Sequence, residues 1–263
     1  MFWNNVKIAL RNLRKNKVFA AINIIGLALG MTIYVLAGLI ARYEGSHDSF
    51  FANADRVYTV GLIPSAALNM GIKKINTVPS IVGTIIEDEL SDVELVARTL
   101  RYEFLVSQDA NKFYEVVQFA DPELLEIFNF TYIAGDERAL DIPTNVLLTA
   151  SQAVKYFGDT DVVGEILTFD NQYDFTVAAV IEDVPQNSHF VSSFIVEGSF
   201  GVFAPMQALV TLRDVPLEGD WTNISSGNMT YVMLPESLDG TWLQAQLDSI
   251  HERLLPEGQG GEE

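Results

Sequence analysis

From Val18 to Ala41 the chain runs 24 residues without a charged side chain, VFAAINIIGLALGMTIYVLAGLIA. A helix of that length reaches roughly 36 Å at ~1.5 Å per residue, enough to cross a hydrocarbon core of ~30 Å with some tilt. The apolar region of a cleavable secretory signal is shorter, about 7–15 residues. The length therefore predicts an uncleaved membrane anchor. The flanks set its direction. Lys7, Arg11, Arg14, Lys15 and Lys17 precede the segment, whereas Arg42, Glu44 and Asp48 follow it. Basic residues stay on the cytoplasmic side, which places the N-terminus in the cytoplasm and everything after about residue 43 outside. In a diderm bacterium that is an inner-membrane protein with a periplasmic domain.

Two helical faces accompany the span. Asn23, Gly26, Gly30, Ala37 and Ala41 fall near one stripe, and Gly26 and Gly30 form a G-x-x-x-G pair that lets helices approach closely. Asn23 is a polar group that seeks a partner there. The stripe reads as a helix-packing face, or as the ordinary small-residue content of a membrane helix. Residues 2–15 gather Phe2, Val6, Ala9, Leu10 and Leu13 on one side and most of the basic residues on the other. That pattern predicts an amphipathic helix lying on the cytoplasmic lipid surface, or simply a basic flank.

Charge separates the two ends of the chain. All 35 acidic residues lie in the stretch that begins at Arg42, against 11 of the 16 basic ones. A domain this acidic is repelled by phosphate backbones and anionic headgroups, which excludes nucleic acid as a partner and leaves the N-terminus to meet membrane lipid. With no cysteine in the chain, disulfides, thiolate catalysis, Cys-based zinc sites and lipoprotein processing are all excluded.

Beyond the span the pattern is mixed. Residues 49–55 suggest a short helix or turn, and 56–63 a β-branched strand. Pro64 to Pro79 reads as irregular. Ser80 to Leu90 reads as a helix capped by Ser80, with strands at 93–101, 103–108 and 112–119 after it. Asp121-Pro122 reads as a cap before a short helix. A strand at 144–149 leads to a helix at 151–157 ended by Gly158. EILTFD (165–170) and YDFTVAAVIEDV (173–184) flank Asn171-Gln172 as a two-residue hairpin turn. Residues 189–198 suggest another strand, 229–235 a strand and 239–255 a helix, with 202–227 undecided. Strands and helices mix without a βαβ repeat, so the fold class is α+β.

No chemistry stands out. The chain has no P-loop, no dinucleotide fingerprint and no nucleophile elbow. His47, His189 and His251 lie far apart, without metal-ligand spacing, and read as surface or loop residues. Glu87-Asp88-Glu89 reads as a solvated helix end. Three sequons, at Asn129, Asn223 and Asn228, read as chance matches. The expectation is no enzyme, no cofactor and no metal.

Three segments, in order, resemble the MacB/FtsX-like family of ABC-transporter permeases: KIALRNLRKNKVFAAINIIGLALGM (7–31), YEGSHDSFFANADRVYTV (43–60) and NVLLTASQAVKYFGDTDVVGEILTFDNQYDFTVAAVIEDVPQNSHF (145–190). The first is similar to that family's amphipathic helix and first membrane helix. The second is similar to the stretch opening its periplasmic domain. The third is similar to its L-T-x-x-x-A-x-x-Y-F-G-D run, hairpin and D-x-P-x-N-S-H turn. Within it, Gly158 and Gly164 suit tight turns, and Asp183, Pro185 and Asn187 suit a rigid one.

The resemblance implies residues 1–17 as a cytoplasmic amphipathic helix and 18–42 as the membrane helix. A MacB-like periplasmic core domain would fill 43–255, with an acidic tail at 256–263. It also implies mechanotransmission: a separate cytoplasmic ABC ATPase closes, and the permease carries that movement to the periplasmic domain. Lys7, Arg11 and Arg14 would contact the ATPase. Asn23, Gly26 and Gly30 would pack against a second permease copy or half, and the outer domain would meet an adaptor or substrate. The family continues into three further membrane helices, whereas 242–263 hold no second apolar run. That leaves two expectations, the front part of a permease or a single-span relative. The alternative readings are a membrane-anchored sensor or interaction domain and, last, an anchored hydrolase.

Overall fold

A computed structural model describes residues 2–63, 74–185, 187–190, 201–217, 221 and 227–254. The chain divides into two units, Met1–His47 and Asp48–Glu263.

The first unit is helical. α1 covers Phe2–Lys15 and α2 covers Lys17–Gly45. They part at Asn16, whose backbone (φ −110, ψ 57) is not helical. α2, 29 residues with a mean hydropathy of 2.3 in its most apolar window, is long and apolar enough to cross a membrane.

The second unit is built in the order β1 (Val57–Val60), α3 (Ile81–Glu89), β2 (Leu95–Gln108), β3 (Asn111–Ala120), α4 (Glu123–Phe128), β4 (Tyr132–Ala134), β5 (Asn145–Thr149), α5 (Ala150–Phe157), β6 (Ile166–Phe169), β7 (Tyr173–Ile181), β8 (Val202–Pro205), α6 (Ala208–Arg213), β9 (Met229–Met233) and α7 (Gly240–Leu254). This is a mixed α+β domain. Its strands run β1-β9-β2-β3-β8-β5-β7-β4, and β6 pairs with both β2 and β7. That double pairing closes β2, β3, β8, β5, β7 and β6 into a ring. β3–β8 and β5–β7 are parallel, and the other pairings are antiparallel.

Alternation along the strands sorts side chains between cores, as the period of two demands. Val146 and Leu148 of β5 and Val202 and Ala204 of β8 join Phe104, Val117, Phe119, Leu167 and Phe169 in one core with α5 and α6. Leu147 and Phe203 point the other way, toward Phe51, α4, Phe190 and Tyr231. A third core sets α3 and α7 against β1 and β9 through Ile86, Leu243, Val60 and Val232. Gly135 (φ +76) lies so close to β7 that a Cβ there would fall 2.3 Å from the Ala178 carbonyl oxygen. Only glycine fits.

Several local expectations need correction. The strands read at 93–101 and 103–108 are one strand, because Arg101↔Gln118, Tyr102↔Val117 and Glu103↔Val116 continue the ladder without a break. The hairpin at 165–184 forms, but its last pair is Phe169↔Tyr173, so its loop is Asp170–Gln172 rather than two residues. The Asp170 carboxylate and amide both bond the Leu105 backbone (3.1 and 2.8 Å), which draws Asp170 toward β2 and away from the β7 ladder. Ser80 and Asp121 make no side-chain cap. α3 begins with no cap bond from Ser80. Asp121 instead takes the Arg98 guanidinium, at 2.7 and 3.0 Å. The strand expected at 189–198 begins in a turn at His189 and Phe190, and 191–198 lie outside the described residues. In the undecided stretch 202–227, residues 202–213 hold β8 and α6.

Candidate functional site

Three residues after α2 ends at Gly45, the chain enters the second unit through a turn that is held at four successive points. The first is Asp48. Its backbone is left-handed (φ 55), a conformation that aspartate tolerates better than most residues. Its amide donates to the Asn187 carbonyl oxygen (3.0 Å). Its Oδ1 accepts from the Ser188 hydroxyl (2.8 Å) and the His189 amide (3.1 Å), and lies 2.9 Å from His189 Nδ1. The second point is Phe51, buried against Phe128, Phe130 and Phe190 with ring centres 4.9, 5.8 and 6.0 Å away. At the third, Asn53 Nδ2 donates to the Ile127 carbonyl at the end of α4 (3.1 Å). At the fourth, Arg56 bonds Glu94 (2.6 Å), the Leu234 carbonyl (3.0 Å) and Asn53 Oδ1 (3.1 Å). Nine residues thus tie the segment to the turn after β7, to α4, to the start of β2 and to the end of β9.

His189 is the centre of the first point, not the isolated loop residue its sequence position suggests. Its Nε2 lies 2.9 Å from the Tyr231 hydroxyl, and that hydroxyl lies 3.2 Å from Met229 Sδ. Burial raises the Asp48 carboxyl, but the bonds from His189 and Ser188 outweigh it and leave Asp48 below its ordinary value, a carboxylate at neutral pH. Burial pushes the Tyr231 hydroxyl well above its ordinary value, so it stays protonated. An Asp–His pair beside a hydroxyl resembles part of a hydrolytic triad. Here, however, Ser188 bonds the carboxylate instead of Nε2, and the hydroxyl at Nε2 belongs to Tyr231, which is 1 % exposed.

The turn after β7 also reaches α5. Asp183 accepts from the Ser151 amide (2.9 Å) and hydroxyl (2.5 Å), so it caps the first turn of that helix. The Pro185 carbonyl accepts from the Ser188 amide (3.1 Å). Gly158 ends α5 at φ 79, and Gly164 turns into β6 at φ 94 with its amide on the Val177 carbonyl (2.8 Å). Asp48, Asp183, Pro185 and Asn187 therefore stand around one turn, while Gly158 and Gly164 serve the neighbouring α5–β6 connection. Lys7, Arg11 and Arg14 lie exposed on α1, and Asn23, Gly26 and Gly30 lie exposed along α2. A Cβ at Gly26 or Gly30 would meet nothing within 4 Å. Among the described residues no group of His, Asp and Glu could hold a metal ion.

A helix long and apolar enough to cross a membrane thus precedes a mixed α+β domain whose first turn is stapled to its sheet. Residues 20–250 match the MacB-like periplasmic core domain, and the chain belongs to that family. Two solved structures share the fold. A domain assigned to a permease protein of Porphyromonas gingivalis is 23% identical, with a TM-score of 0.58 over 77% of this chain and 86% of that one. The periplasmic region of MacB from Actinobacillus actinomycetemcomitans is 13% identical, with a TM-score of 0.53 over 76% and 84%. No curated protein matches the chain.

Proposed function

We propose that the chain is a permease subunit, or the front part of one, in an ABC-type export or extrusion system. It works by transmission of movement and not as an enzyme. A separate cytoplasmic ATPase engages the basic face of α1 through Lys7, Arg11 and Arg14, and its closure shifts α2. The N-terminus lies in the cytoplasm and the domain in the periplasm, with α2 in the inner membrane, because the basic flank precedes the span. A second permease copy or half packs on the face of Asn23, Gly26 and Gly30. A periplasmic adaptor or the substrate meets the outer domain.

The observation that carries this reading is the four-point attachment of residues 48–56. A flexible linker would dissipate a displacement of the membrane helix. A segment bonded into three strands' ends and one helix passes it to the sheet as a rigid-body motion. The test is co-purification of the native ATPase with the membrane-extracted chain, wild type against Arg11→Glu with Arg14→Glu. Loss of the ATPase with the outer domain still folded supports the contact. Unchanged co-purification removes it.

A further inference from the structure

Two of the four attachment points end on the same short helix. Phe51 packs on the Phe128 ring (4.9 Å) and Asn53 Nδ2 donates to the Ile127 carbonyl (3.1 Å), both at the C-terminal end of α4. We propose that α4 is a strut. It carries a displacement of the junction turn to the Arg98–Asp121 pair at its other end, and two clefts beside that pair change shape with the junction. This deepens the reading of residues 48–56 as the transmitting segment and rests on it.

The helix is built to be pushed as one piece. It is six residues long, roughly 9 Å at ~1.5 Å each. Leu124, Leu125, Ile127 and Phe128 are buried, and a close-packed interior has little slack with which to absorb a shift. The N-terminal end is bonded as firmly as the other. The Leu124 and Leu125 amides donate to the Asp121 and Pro122 carbonyls (3.1 and 3.0 Å), so the helix grows directly out of Asp121. The Asp121 amide donates to the Arg98 carbonyl (3.1 Å), and its carboxylate accepts from the Arg98 amide (2.8 Å). The same carboxylate takes the guanidinium through Nε (2.7 Å) and Nη2 (3.0 Å), a two-pronged contact that fixes orientation as well as distance. Arg98 Nη1 continues to the Thr84 hydroxyl on α3 (2.9 Å). An unbroken run of bonds and packed side chains therefore leads from Asn53 through α4 to β2 and α3. Such a run is the physical carrier that coupling between distant sites requires.

The far end of the run opens on the surface. Asp121 and Pro122 line a cleft of about 210 Å³ together with Pro143 and Gln207. Arg98 lines a second cleft of about 510 Å³, together with Gln207 and Val210. The ion pair thus contributes to the walls of both, and Gln207 is common to them. Pro143 precedes β5 and Gln207 precedes α6, so the facing walls belong to other segments of the chain. A shift of α4 along its axis moves Asp121 and Pro122 against those walls.

The test uses the full chain in detergent and residue-resolved hydrogen exchange. Asn53→Asp removes the donor to Ile127 and keeps the oxygen that accepts from Arg56. Exchange is expected to quicken about fivefold, the factor of one net hydrogen bond. It should do so at the Asp121, Leu124 and Leu125 amides as well as at the Asn53 end of the helix, with β7 amides unchanged as reference. Coupling is reciprocal, so Asp121→Asn is expected to quicken exchange at Phe51 and Ala54, and it decides the matter if Asn53→Asp does not fold. Asp183→Ala, which loses bonds on α5, is expected to leave α4 protected. Nitroxides on Pro143→Cys and Gln207→Cys, unique thiols in a chain without cysteine, report on the first cleft. Their spin–spin broadening is expected to change when Asn53→Asp is added. Faster exchange confined to Phe128 and Asn129, or absent, overturns the strut. So does equal acceleration of α4 in Asp183→Ala. An unaltered nitroxide spectrum overturns the link to the clefts. None of these readouts involves the ATPase, so failure here is distinct from failure of the coupling reading.

Discussion

Phe50 and Phe51 are adjacent, identical in type and in ring contact at 4.4 Å with their planes tilted by 43°, yet the structure assigns them opposite weights. Phe51 is 9% exposed and meets three further rings, whereas Phe50 is 41% exposed. Truncating a buried phenylalanine to alanine removes its transfer free energy and leaves a cavity, about 3–5 kcal/mol in well-packed cores. The cavity at Phe51 would be walled by Phe128, Phe130 and Phe190, which are themselves fixed by Tyr231 and Phe203, so it cannot readily collapse. We expect Phe51→Ala to cost about 3–4 kcal/mol. At 2–4 °C per kcal/mol for a domain of this size, the melting temperature falls by roughly 6–16 °C. Phe50→Ala should cost about 1 kcal/mol or less. Thermal and urea unfolding of the detergent-solubilised chain, followed by near-ultraviolet circular dichroism, separates the two. Equal losses for the two variants would falsify the claim that the junction is fixed through Phe51.

Other perturbations address different contacts. Asp48, held below its ordinary carboxyl value, contributes stability that is present above its unfolded value of about 3.9 and is lost as pH falls through its lower folded value. Acid titration of stability should therefore be shallower below about pH 4 in Asp48→Asn than in wild type, and parallel acid limbs count against the assignment. Gly83→Ala puts a Cβ 2.5 Å from Arg98 Cγ, whose guanidinium is tied to Asp121 and Thr84. The expected loss is about 1–3 kcal/mol despite alanine's better helix propensity, and a more stable variant on urea unfolding contradicts it. Asp183→Ala removes the cap on Ser151 and should cost about 1 kcal/mol. Hydrogen exchange at the first turn of α5 should rise with it, and unchanged protection there rules out the capping role.

What could be read in advance was local. α2 announces itself by uninterrupted apolarity, and α5 by its apolar spacing and the glycine at its end. β7 shows itself in a β-branched run behind a turn. β8 was unreadable because all four residues of Val202–Pro205 are buried, so no alternation marks it. α6 is only six residues long. The junction hid for another reason. The Asp48 and Asn187–His189 segments were each recognisable by resemblance, but the Asp48–His189 contact spans 141 positions and the His189–Tyr231 contact 42. Periodicity carries no information at that range, so His189 looked solitary.

The six-strand ring has a mechanical and a topological consequence. Residues such as Phe104, Phe119, Val146 and Phe169, carried on its strands, pack into one buried core. Closure also denies the sheet a seam from which those six strands could peel one by one under load. A pull on one of the six strands is therefore shared through hydrogen bonds with a neighbour on each side.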